Sequence, residues 1–177
     1  MARTTFQGPV RSLNGFYQQG PGTVVNLANG TNTVTLDVET YAGKIIRTND
    51  ATLVITLPTI NTTANSPNNG PGTPPATLNN VGTSYTFFIE TAATAVSIKT
   101  DGTDKFVGSL LMVDTDSSGA TTGYAPASSN DFINFNGTTT GGIAGTWVTV
   151  TVLAANKYYV QGVVLGSGSV ATPFADS

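Results

Sequence analysis

Apolar residues recur along this chain with a period of two, and almost nowhere with the spacing of a helix face. Val34, Leu36 and Val38 alternate with Thr33, Thr35 and Asp37. Leu53, Ile55 and Leu57 alternate with Val54 and Thr56, and Val148, Val150 and Val152 alternate with Trp147, Thr149 and Thr151. Such alternation gives a segment one face for a core and one for water, the signature of a half-buried strand. The pattern predicts about ten short strands, near residues 23–28, 33–39, 44–48, 52–57, 84–90, 95–100, 106–113, 131–135, 146–153 and 157–165. No helix is predicted. Asn29-Gly30 and Asp101-Gly102 fall between strand patterns and accept the positive φ of a hairpin turn, and Ala154-Ala155-Asn156 joins the Trp147 strand to the Tyr158 strand. Consecutive hairpins predict an all-β fold, an antiparallel, jelly-roll-like β-sandwich. The adjacent pairs Phe87-Phe88 and Tyr158-Tyr159 must point to opposite faces, so one member of each is expected to leave the main core.

Three segments break the pattern. Residues 58–83 contain Pro58, Pro67, Pro71, Pro74 and Pro75 among Asn, Thr and Gly. Proline cannot donate to a ladder, so a long polar loop is expected there. Residues 114–130 form a second polar stretch, again expected as a loop. Residues 1–22 carry Phe6, Val10, Leu13, Phe16 and Tyr17 but are interrupted by Gly8, Pro9, Gly20, Pro21 and Gly22. They are expected to form an irregular N-terminal arm preceding a sandwich domain at 23–177. Leaving a large apolar side chain wet forgoes roughly 1.5–3 kcal/mol, so the arm needs a surface, either its own sandwich or a partner. In the second case Arg3, Phe6, Arg11, Phe16 and Tyr17 are the expected anchors, together with one sheet edge.

Composition narrows the chemistry. The chain has 177 residues with seven Lys and Arg against ten Asp and Glu, a net charge of −3, and only 10% charged residues. That disfavours a nucleic-acid binder, which needs clustered cations to displace counterions. Histidine and cysteine are both absent, which removes His-dependent nucleophile systems, thiolate metal sites and disulfides. No apolar run is long enough for a membrane-spanning helix, and the N-terminal residues lack the apolar core of a signal peptide. The closest approach to a metal site is Asp114-Thr115-Asp116-Ser117-Ser118-Gly119. It matches the first half of a calcium loop but fails at Ala125, where a bidentate Glu belongs. A polar turn is the simpler reading, and no cofactor is expected. Carboxylate pairs remain as catalytic options, Asp37 with Glu39 on one strand face and Asp101 with Asp104 near a turn. Surface and turn roles explain them better, so no enzymatic activity is expected.

Several motifs carry a family resemblance. Gly43-Lys44-Ile45-Ile46 through Leu57-Pro58, Gly82-Thr83-Ser84-Tyr85-Thr86-Phe87, Ile98 through Gly108, Gly141-Gly142-Ile143-Ala144-Gly145-Thr146-Trp147-Val148, Tyr158-Tyr159-Val160-Gln161-Gly162 and Gly168 through Phe174 resemble a β module of tailed-bacteriophage virion structural proteins. The short chain with an apolar arm is similar to small head-decoration (cement) proteins, including those of phages infecting marine cyanobacteria. The resemblance implies a non-enzymatic protein that stabilises the capsid by binding the major capsid protein lattice. It implies a homotrimer on the outer capsid surface of the virion, assembled in the host cytoplasm. The alternative is a carbohydrate- or receptor-binding module of a tail fibre or spike, using the 58–83 and 114–130 loops and calcium at Asp114 and Asp116.

Overall fold

The computed structural model describes residues 23–27, 30, 32–63, 79–116 and 120–176. The described residues fold as an all-β sandwich of twelve strands in two sheets around one core. The strands are β1 (Val24–Leu27), β2 (Thr33–Thr35), β3 (Ile45–Thr48), β4 (Thr52–Thr56), β5 (Ser84–Ile89) and β6 (Ala95–Lys99), followed by β7 (Lys105–Asp114), β8 (Thr121–Tyr124), β9 (Phe132–Phe135), β10 (Trp147–Ala154), β11 (Lys157–Gly166) and β12 (Phe174–Ala175). The larger sheet runs β1-β3-β5-β10-β11-β7-β8 and the smaller β12-β9-β6-β4-β2.

The connectivity differs from the expected antiparallel jelly roll, because both sheets are mixed. The first six strands alternate between the sheets, odd-numbered strands in one and even-numbered in the other. β1, β3 and β5 pair in parallel, as do β2, β4 and β6. Each odd–even pair is one turn of a flattened coil, stacked on the next by its backbone ladders. Val24 pairs with Ile45 and Thr33 with Val54, so one coil advances 21 residues in both sheets. The third coil is then joined by antiparallel strands, β10 on β5 and β9 on β6, while the β10–β11 hairpin carries β7 in parallel on its far side.

The turn signals account for this error. Gly30 and Gly102 do have positive φ, at 98° and 92°. Their turns, however, carry the chain from β1 to β2 and from β6 to β7, from one sheet to the other, instead of closing hairpins. Positive φ permits a tight reversal without specifying which strands pair. The 154–156 loop is the hairpin it was expected to be, with Asn156 at φ 60°.

Two strands lie where none was expected. β8 sits inside the 114–130 segment and pairs antiparallel with β7, and β12 adds a two-residue edge to β9. Conversely, the expected strand 33–39 stops at Thr35 and a single helical turn, α1 (Val38–Tyr41), follows. Asp37 caps it by accepting the Thr40 N–H at 2.7 Å, the usual way to satisfy an unpaired donor at a helix start. Asp37 and Glu39 therefore do not share a strand face.

The core is built by the alternation. Tyr85, Phe87 and Ile89 of β5, Val148, Val150 and Val152 of β10 and Tyr158, Val160 and Val164 of β11 face Leu53, Ile55, Val96, Ile98, Ile133 and Phe135 of the smaller sheet. The long 58–83 connection is an insertion between the second and third coils, and its base is buried. Asn80 accepts the Asn61 N–H through its side-chain oxygen at 2.9 Å and donates to the Thr59 carbonyl at 2.9 Å. Tyr158 donates its phenol to the Pro58 carbonyl from beneath. Residues 64–78 lie outside the described residues.

Candidate functional site

The outward faces of the two sheets differ in chemistry. On the smaller sheet the outward positions are mostly polar, Thr33, Thr35, Thr52, Thr56, Ser97, Lys99 and Asn134, with Val54 and Phe132 among them, and Ser97 donates to the Asn134 side chain at 2.6 Å. On the larger sheet the register aligns Leu111 of β7, Val163 of β11, Trp147 of β10 and Phe88 of β5 in one row across four strands. Leu111, Val163 and Trp147 are 45%, 42% and 40% exposed, and Phe88 is half-buried. The flanking rows are Ser109, Gln161, Thr149, Thr86, Ile45 and Val24 on one side, then Val107, Tyr159, Thr151 and Ser84. Across β5, β10, β11 and β7 this face carries no charge except Lys105 and Lys157, which sit opposite each other at its end. Arg47 and Glu90 form an ion pair at its rim.

The local cause is again the two-residue period. Phe88 and Tyr159 point outward because Phe87 and Tyr158 fill the core, as the adjacent aromatic pairs required. Gly162 keeps β10 and β11 tight beneath the row. A Cβ there would lie 2.3 Å from the Trp147 carbonyl oxygen and 2.9 Å from the Val148 Cα. The row itself was not foreseen, because outward apolar residues on separate strands become neighbours only once the strand order is known.

The expected anchors Arg3, Phe6, Arg11, Phe16 and Tyr17 lie outside the described residues. Asp114 and Asp116 act on the backbone: Asp114 accepts the Asp116 N–H at 3.1 Å and Asp116 accepts the Gly168 N–H at 2.7 Å. Among the described residues, no group of three or more His, Cys, Asp or Glu could hold a metal ion. No helix among them is long and apolar enough to cross a membrane.

Asp101 and Asp104 do come together. Asp101 accepts the Thr103 and Asp104 N–H groups at 2.9 and 3.2 Å. Partial burial pushes its carboxyl up, but the amide hydrogen bonds from Asp104 and Thr103 outweigh this, and the group sits below its ordinary value. Asp104 is buried and accepts the Ile60 N–H at 3.1 Å. Burial raises its carboxyl above the ordinary value, against the Ile60 hydrogen bond, and the Asp101 charge adds to the rise. Both carboxylates thus hold the loop base together. Next to them, Thr56, Lys99, Thr100, Asp101, Gly102, Asp131 and Phe132 line a shallow depression of about 280 Å³. Lys99 Nζ lies 5.6 Å from the Phe132 ring centroid, in the place a stacking sugar would need.

Fold and surface together define an all-β sandwich with one mostly polar outer face and one outer face crossed by an apolar row, which Arg47 continues beyond Phe88 and polar rows flank. No family model matches the chain, and no curated protein or solved structure matches it.

Proposed function

We propose that this chain is a non-enzymatic structural protein of a phage particle. It decorates the head by laying the outer face of its larger sheet on the major capsid protein lattice, as a homotrimer on the outer capsid surface. The observation that carries this reading is the uncharged row Leu111–Val163–Trp147–Phe88, set against a smaller sheet whose outer face is hydroxyl-rich. Docking removes those side chains from water, and a row without charge from Leu111 to Phe88 pays little desolvation cost on a matching surface. A stable contact needs about 1,000 Å² in all, which a four-strand face with its flanking rows can supply. Because the assembled shell is bound and loose subunits are not, the shell is stabilised by mass action.

The test is co-sedimentation of the purified chain with empty heads of the particle it belongs to, alongside a Val163→Lys variant. The parent chain is expected to pellet with the heads and raise their melting temperature, and the variant to stay in the supernatant with its own melting temperature unchanged. Equal pelleting of both chains removes the face from the proposal, and pelleting of neither removes the function.

A further inference from the structure

At one end of the smaller sheet's outer face, three strands bring unlike side chains into one row. Thr56 of β4 pairs with Lys99 of β6, and Lys99 with Phe132 of β9. Phe132 is the one aromatic ring among the described outward positions of this sheet. The β6–β7 turn supplies Asp101 and Gly102 beside the row, and Asp131 completes the lining of the depression of about 280 Å³. The turn is already held in place. Thr100 donates its hydroxyl to the Asp104 carbonyl at 2.7 Å and accepts the Gly102 N–H at 3.1 Å, while Asp101 accepts two amides. Asp131 is 2% exposed. Lys105 Nζ donates to one of its oxygens at 3.0 Å, and Oδ1 has no hydrogen-bond partner among the described residues. A buried acceptor left unpaired is costly, and is uncommon unless a bound molecule supplies the donor.

From this arrangement we infer that the depression is a subsite for one neutral pyranose ring of a glycan. Charge decides the class of ligand. Lys105 balances Asp131 and Lys99 offsets Asp101, so the site is close to neutral. An anion would meet two carboxylates, and a cation would meet Lys99, with which no carboxylate pairs among the described residues. An ammonium only donates and an ionised carboxylate only accepts, so the ligand needs groups that do both, as hydroxyls do. A pyranose carries a rim of hydroxyls around a face of C–H bonds, and Phe132 offers that face a flat apolar platform. The volume falls just below the roughly 300 Å³ at which sites for drug-sized ligands begin, which suits a single ring. Lys99 Nζ lies over the Phe132 ring at 5.6 Å from its centroid, near the outer limit of a cation–π contact, so a sugar displaces it at little cost. The displaced ammonium then donates to one sugar hydroxyl while Asp101 accepts from another. The subsite lies on the face opposite the apolar row, so this inference does not rest on the capsid reading.

The test follows backbone amide chemical shifts of the full-length protein during separate titrations with four probes. Three are neutral, methyl β-glucopyranoside, methyl β-galactopyranoside and methyl α-mannopyranoside, and glucuronate is the anionic one. At least one neutral sugar is expected to shift the amides of Lys99, Thr100, Asp101, Gly102, Asp131 and Phe132 saturably, with a Kd of about 1 mM or above, as befits one shallowly held ring. Glucuronate is expected to bind at least about fivefold more weakly, because it faces both carboxylates. Phe132→Leu keeps an apolar side chain without the flat ring, and Lys99→Met keeps the stem without the donor. Each is expected to weaken binding at least about fivefold in a spectrum otherwise like the parent's, whereas Phe132→Tyr retains it. No saturable shift with any neutral sugar overturns the inference. Shifts confined to other parts of the surface, or binding unchanged in both weakened variants, overturn the site. Glucuronate binding as tightly as the neutral sugars overturns the ligand class.

Discussion

At the scale of single residues, two buried tyrosines and one buried aspartate separate burial from bonding. Tyr158 and Tyr85 are both fully buried, and burial raises both phenols above their ordinary value. Tyr158 donates to the Pro58 carbonyl, whereas the Tyr85 hydroxyl has no hydrogen-bond partner of good geometry among the described residues. Tyr158→Phe is therefore expected to cost about 1–1.5 kcal/mol in urea unfolding, and Tyr85→Phe to leave stability unchanged or raise it. Asp104 provides a pH signature. Its carboxyl is raised in the folded state, so the fold favours the protonated form, and ionisation costs stability as pH rises through the folded value. Asp104→Asn keeps an oxygen for the Ile60 N–H and cannot ionise. Thermal melts are expected to show its stability rising relative to the parent between pH 4 and pH 7, and a flat difference would contradict the assignment. Asp101, lowered in the folded state, works in the opposite sense, its contribution being present above the ordinary Asp value and lost as pH falls.

At the scale of elements, the period-two pattern located most strands because inward and outward positions are written residue by residue. It failed where a local interaction competed with it. Val34, Leu36 and Val38 continue the alternation past Thr35, yet the Asp37 side chain bonds the Thr40 N–H and turns the chain into α1. β8 was hidden because Thr121 to Tyr124 hold no aliphatic alternation, and its pairing comes from β7. Strand partners were the least legible feature. A parallel ladder between strands 21 residues apart leaves no turn signature, whereas hairpin-like dipeptides are visible and here mark changes of sheet. Glycines in strands were equally ambiguous until the ladders were known. Gly162 faces the β10 backbone at distances no Cβ tolerates, whereas a Cβ on Gly123 of β8 would meet nothing within 4 Å. Gly162→Ala is expected to destabilise by roughly 1–3 kcal/mol because backbone must move against backbone, and Gly123→Ala to be nearly neutral in the same denaturant titration.

At the scale of the whole molecule, the two faces set how the sandwich meets other surfaces. The arm residues Arg3, Phe6, Arg11, Phe16 and Tyr17 stand out in sequence as large side chains in an irregular stretch. The sheet-face row does not, because Leu111, Val163, Trp147 and Phe88 lie on four strands and only the order β7-β11-β10-β5 brings them side by side. A monomer normally keeps such apolar patches small, and a larger one marks an interaction site. If the row seats both lattice and sister copies, the free protein in solution has only itself to cover it. Sedimentation velocity is then expected to show concentration-dependent association of the parent chain. A Leu111→Lys, Val163→Lys double variant is expected to be monomeric at every concentration, because two ammonium groups on the face would have to be desolvated on contact. Both positions point to solvent, so the dilute variant is expected to stay folded, with a melting temperature lowered by only a few degrees by the like charges on register partners. Association that survives the double substitution would place the self-contact at a sheet edge, and a parent monomeric at all concentrations would remove the homotrimer from the proposal.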